Sequence, residues 1–283
     1  MFQQSSSTIL DAILADVQEQ MAAAKRRRSD ADLRGMIADA PPVRPFSEAL
    51  KKNFGLIAEI KACSPSVGAM RVGNVADAPD AYEESTVVHA LSVLTNERHF
   101  GGSVEKLQEI RNRVSKPVLR KDFIVGEYQI REARAFGADA ILLMASVLDA
   151  SRLNGFHDLV LELGMEALFE VHDEEEIGAL PQSARIVGIN SRRFKTRKGF
   201  VGAEGSSEID FSINLDSFAL ADRLPEKAIR VAESGLDARN ISSVRERFHA
   251  ALVGTSLLRN PSGVRFGLAA FESAIVSGGS TKV

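Results

Sequence analysis

From Leu56 onward the chain alternates between short apolar runs and amphipathic stretches. The runs are Leu56–Ile60, Ala90–Leu94, Pro117–Leu119, Ala140–Met144, Ala167–Val171, Ile186–Ile189, Ile229–Ala232 and Ala251–Val253. They are apolar throughout rather than alternating, which is the pattern of parallel strands buried on both faces. Helical spacing lies between them, for example over Val104–Val114, Glu127–Phe136, Asp149–Leu163, Ser217–Leu224 and Ala238–Phe248. Eight strand–helix units predict an α/β fold, a (β/α)8 TIM barrel. A doubly wound open sheet is the runner-up. It usually has fewer strands and often a glycine-rich first turn, and no G-x-G-x-x-G is present.

Ahead of the first run the pattern is different. Ile9, Leu10, Ile13, Leu14 and Val17 fall at helical spacing, with Ser7 or Thr8 as cap and the basic run Lys25 to Arg28 as a solvated helix end. A second helix is predicted over Asp30 to Ala38, broken by Pro41-Pro42, and a short third over Phe46 to Lys52. The expected organisation is one barrel domain over residues 1–283, with residues 1–53 as an N-terminal helical extension.

Composition narrows the function. Apolar residues make up 45% of 283, enough for a sizeable core, and the net charge of −3 gives no electrostatic reason to bind nucleic acid or membrane. The single cysteine, Cys63, rules out an internal disulfide or a thiolate metal cluster, and the five histidines show no metal-ligand spacing. Met1 to Gln18 lacks a basic n-region and carries Asp11 and Asp16, so no signal peptide is expected. No apolar run approaches the length of a membrane span. A cytoplasmic protein is expected.

Barrel chemistry sits at the C-terminal ends of the strands. The first run carries Glu59 and ends at Lys61, two residues apart and therefore on one face, before Ser64-Pro65-Ser66 and Gly68 break the strand. An internal ion pair closing the barrel end is the plain alternative for these two. The second end offers Ser92, Thr95 and Asn96, and the third Arg120-Lys121-Asp122-Phe123. The fourth offers Met144 and Ser146, almost no chemistry, and the fifth Glu170. The sixth gives Asn190-Ser191-Arg192, the seventh Glu233-Ser234-Gly235 and the eighth Gly254-Thr255-Ser256. Together Glu59, Lys61, Lys121, Glu170, Asn190, Arg192 and Glu233 would be costly to bury without a use. The small residues after the last two runs would let backbone amides approach an oxyanion, where many barrels hold a phosphate. Ordinary tight turns are the alternative. Between Asn190 and Ile229 the connection is long and polar, with a basic patch from Arg192 to Lys198. That reads as a solvated loop or as a lid for an anionic substrate.

Several segments carry a resemblance. Ile57-Ala58-Glu59-Ile60-Lys61 with Ser64-Pro65-Ser66, Ser92-Val93-Leu94-Thr95, Pro117 to Ile124, Gly137 to Leu143, Glu170-Val171-His172, Gly188-Ile189-Asn190 and Glu233-Ser234-Gly235 are similar to indole-3-glycerol phosphate synthase of tryptophan biosynthesis. Arg44-Pro45-Phe46 with Ala49-Leu50 resembles the end of that family's extra helical segment, so the likeness spans nearly the whole chain. After the sixth run the family usually reads Gly-Ile-Asn-Asn-Arg-Asp-Leu, where this chain has Gly188-Ile189-Asn190-Ser191-Arg192-Arg193-Phe194.

The resemblance implies ring closure of 1-(2-carboxyphenylamino)-1-deoxyribulose 5-phosphate with loss of CO₂ and water. It implies Lys121 as the acid at the ketone oxygen, Lys61 on the carboxylate, Glu170 as general base, and Glu59 and Asn190 orienting the hydroxyl. Ser64, Phe123, Arg192, Glu233 and Ser234 would contact substrate, and Gly235, Gly254 and Thr255 would bind its phosphate. No cofactor or metal is implied. The only partner expected is the small phosphorylated substrate, with no nucleic acid or membrane, and the chain is expected as a monomer or weak homodimer. Two rivals stay open at this point: another sugar-phosphate barrel enzyme, and a catalytically silent barrel kept for binding.

Overall fold

Eight strands pair side by side, all parallel, and the last closes on the first. They are β1 (Gly55–Ile60), β2 (Val88–Leu94), β3 (Val118–Lys121), β4 (Ala140–Met144), β5 (Glu166–Val171), β6 (Ile186–Asn190), β7 (Ile229–Glu233) and β8 (Ala250–Val253). The computed structural model describes residues 9–192 and 212–277. Its helices are α1 (Ile9–Arg27), α2 (Asp30–Asp39), α3 (Phe46–Leu50), α4 (Val72–Glu84), α5 (Glu97–Phe100) and α6 (Val104–Arg113). They continue with α7 (Glu127–Ala135), α8 (Ala150–Glu162), α9 (Glu174–Gly178), α10 (Thr255–Leu258) and α11 (Val264–Ser277). No described helix is long and apolar enough to cross a membrane.

Period-2 alternation splits the strand residues into two cores. Ile57, Ala90, Leu119, Ala140, Leu168, Ile186, Ile229 and Ala250 point inward and pack with one another. Their neighbours Leu56, Leu91, Val118, Ile141, Phe169, Val187 and Ala251 point outward under the helices. Phe46 and Leu50 of α3 are fully buried against the inward set and close the bottom of the barrel. Glu166 holds α3 there by accepting a hydrogen bond from the Ser47 amide at 2.8 Å.

The extension is fastened by polar groups as well. Fully buried Asp139 accepts from the Arg44 amide at 2.7 Å and pairs with Arg111 at 3.0 Å. Ser29 and Asp32 form a reciprocal capping box at the start of α2. At the other end of the barrel, Ile13 and Val17 of α1 are buried in the cluster that includes Phe123, and Asp16 pairs with Arg98 and His99. The expected caps Ser7 and Thr8 lie outside the described residues.

The pattern misplaces two segments. Ala238 to Phe248 has helical spacing, yet only a 3-10 turn over Ile241–Ser243 forms. Local side chains take the backbone groups a helix would need: Asp237 accepts from the Arg239 amide, Asn240 from the Asp237 amide, and Ser243 donates to the Asn240 carbonyl. The stretch read as helical from Ser217 is a 3-10 helix over Leu215–Arg223, capped by Asn214.

Candidate active site

At the C-terminal ends of the strands lies a cavity of about 350 Å³. Every residue that the resemblance assigns to the site lines it: Glu59, Lys61 and Ser64, then Lys121 and Phe123, then Glu170, Asn190 and Arg192, and finally Glu233, Ser234, Gly235, Gly254 and Thr255. The alternation explains why they converge. Glu59, Lys121, Glu170, Asn190 and Glu233 share the inward parity of the apolar residues beneath them and form the top layer of the barrel interior.

The end of β3 separates residues that adjoin in sequence. Lys121 and Phe123 face the cavity. Arg120 points outward and is fully engaged there, donating to the Gln129 carbonyl at 2.9 Å and to Thr95 at 3.0 Å, and pairing with Glu132 at 3.0 Å and Asp122 at 3.3 Å. Thr95 therefore belongs to this outer network and Asn96 caps α5, so neither end residue of the second strand reaches the cavity. The apolar run stops at Leu119 but the strand continues through Lys121, because each of its last two polar residues has a buried partner on its own side.

Three acids and a lysine meet in the centre. Lys121 Nζ donates to Glu170 Oε2 at 3.1 Å and stands 3.9 Å from Glu233 Oε2. Glu170 and Glu233 are both almost completely buried. Burial works against the Lys121 ammonium, but Glu170, Glu233 and Glu59 outweigh it and hold its pKa above the ordinary lysine value. Burial likewise opposes the Glu170 carboxylate, while Lys121, His172 and a hydrogen bond with Asn190 keep its pKa below the usual value. Glu233 goes the other way: burial, with the negative Glu170 beside it, lifts it well above the carboxylate range. The two close carboxyls are thus pushed in opposite directions.

At the rim, Lys61 Nζ sits 2.5 Å from Glu59 Oε1. The Ser64 side of this rim is held by a short antiparallel pairing of Cys63–Ser64 with Gly68–Ala69. Burial lowers the pKa of Arg192, with Glu59 opposing. Its amide donates to Asn190 Oδ1 at 3.0 Å. Cys63 does not line the cavity; its thiol lies 3.5 Å from the His99 carbonyl. Residues 193–211, which contain most of the basic patch read as loop or lid, lie outside the described residues.

After β7 the chain turns through two left-handed residues, Ser234 at φ 69° and Gly235 at φ 72°. Ser234 is a rare non-glycine in that region, a conformation that costs about 1 kcal/mol or more. Ser191 supports it by donating to its carbonyl at 3.1 Å. The backbone amides of Gly235 and Gly254 donate to no backbone carbonyl among the described residues. A Cβ at Gly254 would lie 2.6 Å from Glu59 Oε1, so only glycine allows β8 to end that close to the acid.

The opposite wall is apolar: Leu94, Phe100, Phe123, Leu142 and Met144. The fourth strand, which offers no polar chemistry, supplies two of these. Sequence reasoning passed over them because an inward Leu or Met at a strand end reads as ordinary core. Ser66 and Ser256 also line the cavity, next to residues already singled out. Among the described residues no group of three His, Cys, Asp or Glu side chains is arranged for a metal ion.

The chain was then compared with known proteins. The profile of the family described as indole-3-glycerol phosphate synthase matches residues 10–266. A protein of that name from Nocardioides sp. is 39% identical over 259 residues, covering 89% of this chain and 94% of its own. One from Mycobacterium avium is 38% identical over 262 residues, covering 90% and 91%. Among solved structures, a thiamine phosphate pyrophosphorylase from Pyrococcus furiosus superposes with a TM-score of 0.55 at 14% identity, covering 82% of this chain and all of the other. A 3-keto-L-gulonate-6-phosphate decarboxylase from Vibrio cholerae gives 0.54 at 13%, covering 79% and 98%. These two likenesses speak to the barrel alone.

Proposed function

The chain belongs to the indole-3-glycerol phosphate synthase family, and from that premise we propose how its cavity carries out the reaction. The activity is the closure of 1-(2-carboxyphenylamino)-1-deoxyribulose 5-phosphate to indole-3-glycerol phosphate, a carboxy-lyase step of tryptophan biosynthesis. The observation that carries the assignment of roles is the Lys121–Glu170 ion pair, 3.1 Å apart, with Glu233 3.9 Å from the same ammonium.

The substrate is a phosphate and a carboxylate joined through an aromatic ring and a ketone. The phosphate sits at the backbone amides of Gly235 and Gly254, with Ser234 and Thr255 beside them. The aromatic ring lies on Phe123 and the apolar wall, with Ser64 at its edge. Its carboxylate takes Lys61 from Glu59, and Arg192 faces the ribulose portion.

The ring carbon bearing the carboxylate attacks the ketone carbon. Negative charge develops on the ketone oxygen, and Lys121 delivers a proton there. CO₂ then departs and leaves its bonding electrons to restore the aromatic ring. The new hydroxyl, oriented by Glu59 and Asn190, leaves as water with a second proton. Glu170 removes the proton from the carbon next to nitrogen, completing the indole. Two protons go in and one comes out, so each turnover consumes one. Glu233 lies 3.9 Å from Lys121, and the upward push on its pKa favours a proton held beside the group that needs it.

We assign residues 1–283 to one domain with residues 1–53 as its extension, and the chain to the cytoplasm as a monomer or weak homodimer acting on this one small substrate. The test is direct: the purified chain, given the carboxyphenylamino substrate, should release CO₂ and the indole product in equal amounts. CO₂ release without indole, or neither, would overturn the reading.

A further inference from the structure

Glu170 has a second polar neighbour, one that does not line the cavity. His172 follows it by two residues, so both side chains leave β5 in the same direction. His172 is buried, and its Nε2 lies 3.6 Å from Glu170 Oε1. The other Glu170 oxygen, Oε2, is the one that accepts from Lys121.

The ring cannot turn freely. Glu176, buried in the first turn of α9, accepts from the His172 amide at 2.7 Å and from Nδ1 at 3.0 Å. Asp173 caps the same turn by accepting from the Glu176 amide at 3.0 Å, which fixes where the Glu176 carboxylate stands. With Nδ1 committed to Glu176, the second ring nitrogen is aimed at Glu170. With a carboxylate on each side the ring favours a proton on both nitrogens, since a bare lone pair would face an oxygen of the same polarity.

We propose that His172, gripped by Glu176, is a positioning residue that holds the Glu170 carboxylate from behind while its other oxygen works on the substrate. This rests on the reading of Glu170 as the base of the dehydration step. In the free protein Glu170 has Lys121 in front and His172 behind. Once Lys121 turns to the ketone oxygen, Glu170 loses its front partner at the stage before it must act. His172 does not touch the substrate, since it lies outside the cavity lining, so it remains in place throughout.

The experiment is a double-mutant cycle on the full chain with steady-state and single-turnover kinetics. His172→Ala should lower kcat by about 10- to 100-fold, within the range of coupling between contacting residues, and leave KM within about twofold. CO₂ release should be less affected than indole formation. His172→Gln, whose amide nitrogen can still donate toward Glu170, should recover much of the loss, and Glu176→Gln should show a smaller loss of the same kind. On a Glu170→Gln background, His172→Ala should cost less than about threefold, because the carboxylate it serves is gone. An equal loss on both backgrounds, or a rise in KM matching the fall in kcat, overturns the proposal and leaves Glu170 as the base. If Glu170→Gln alone turns over like the unaltered chain, the assignment of the base falls and the proposal with it. Should His172→Ala fail to fold, Glu176→Gln carries the same cycle.

Discussion

Gly188 and Glu233 occupy one site between them: a Cβ on Gly188 would overlap Glu233 Oε1 and press its carboxyl carbon at 3.0 Å. The two are on neighbouring strands, and Glu233 is too deeply buried to swing into solvent. Gly188→Ala should therefore push the acid toward Lys121 or strain the strand, costing about 1–3 kcal/mol of stability as overpacked cores do. It should also lower kcat at least tenfold or so, by disturbing the charged layer. Denaturant unfolding and steady-state kinetics on the same preparation check both.

The proposed roles put Lys121 and Glu170 at different stages, so their variants should fail differently. Removing a positioned acid or base costs on the order of 10²–10⁴ in rate. Lys121→Met should stop CO₂ release and indole formation together. Glu170→Gln, nearly isosteric, should bind substrate about as well and slow indole formation far more than CO₂ release. A single-turnover assay following both products decides it: equal slowing of both in Glu170→Gln would place that residue before or within condensation.

Glu233 carries a pH signature. Its folded-state pKa lies well above its ordinary value of 4.5, from burial and the neighbouring Glu170 charge. The folded protein thus keeps a proton that the unfolded chain gives up. Its contribution to stability is complete below about pH 4.5 and is lost as pH climbs toward the folded-state pKa, at up to about 1.4 kcal/mol per pH unit. Glu233→Gln has no proton to lose. Its stability relative to the parent chain should rise between pH 5 and 7, measured by urea unfolding at each pH, and a gap independent of pH would contradict the neutral assignment.

The phosphate subsite should be separable from the chemistry. Gly235 sits at φ 72°, and an added Cβ would crowd Ile213 and lie 3.0 Å from Leu215 Cδ2. Gly235→Ala should raise KM and weaken inhibition by inorganic phosphate several-fold, while kcat changes little. Inhibition by phosphate that does not change in the variant would put the anion elsewhere.

Much of this was legible before any coordinates, and what was not has physical causes. The barrel could be read because continuous apolar runs have one common explanation, and the site because charges at strand ends need one. Arg120 and Lys121 show the limit. Adjacent and alike in charge, they differ only in parity, and only the outer partners Glu132 and Gln129 reveal which is structural. The apolar wall was invisible because Leu142 and Met144 look the same whether they touch solvent, substrate or core. Ala238 to Phe248 was misread because hydrophobic spacing does not register the side chains that capture its backbone. Glu176 was missed because an acid beginning a short helix is ordinary; its meaning comes from His172 across the turn.

Among the described residues the floor of the barrel is closed, and the cavity opens at the C-terminal ends of the strands. Phe46 and Leu50 fill the bottom, so substrate, carbon dioxide, water and product all pass the same rim. On the proposed reading, gas released from the carboxylate held by Lys61 must pass a molecule still tethered by its phosphate. The apolar flank at Leu94, Phe100 and Met144 is the side of that rim where a small non-polar molecule meets least resistance. With the phosphate at Gly235 and Gly254 as proposed, traffic through this vessel would be sorted by polarity: the anionic end moored there, the neutral by-product leaving along the greasy side.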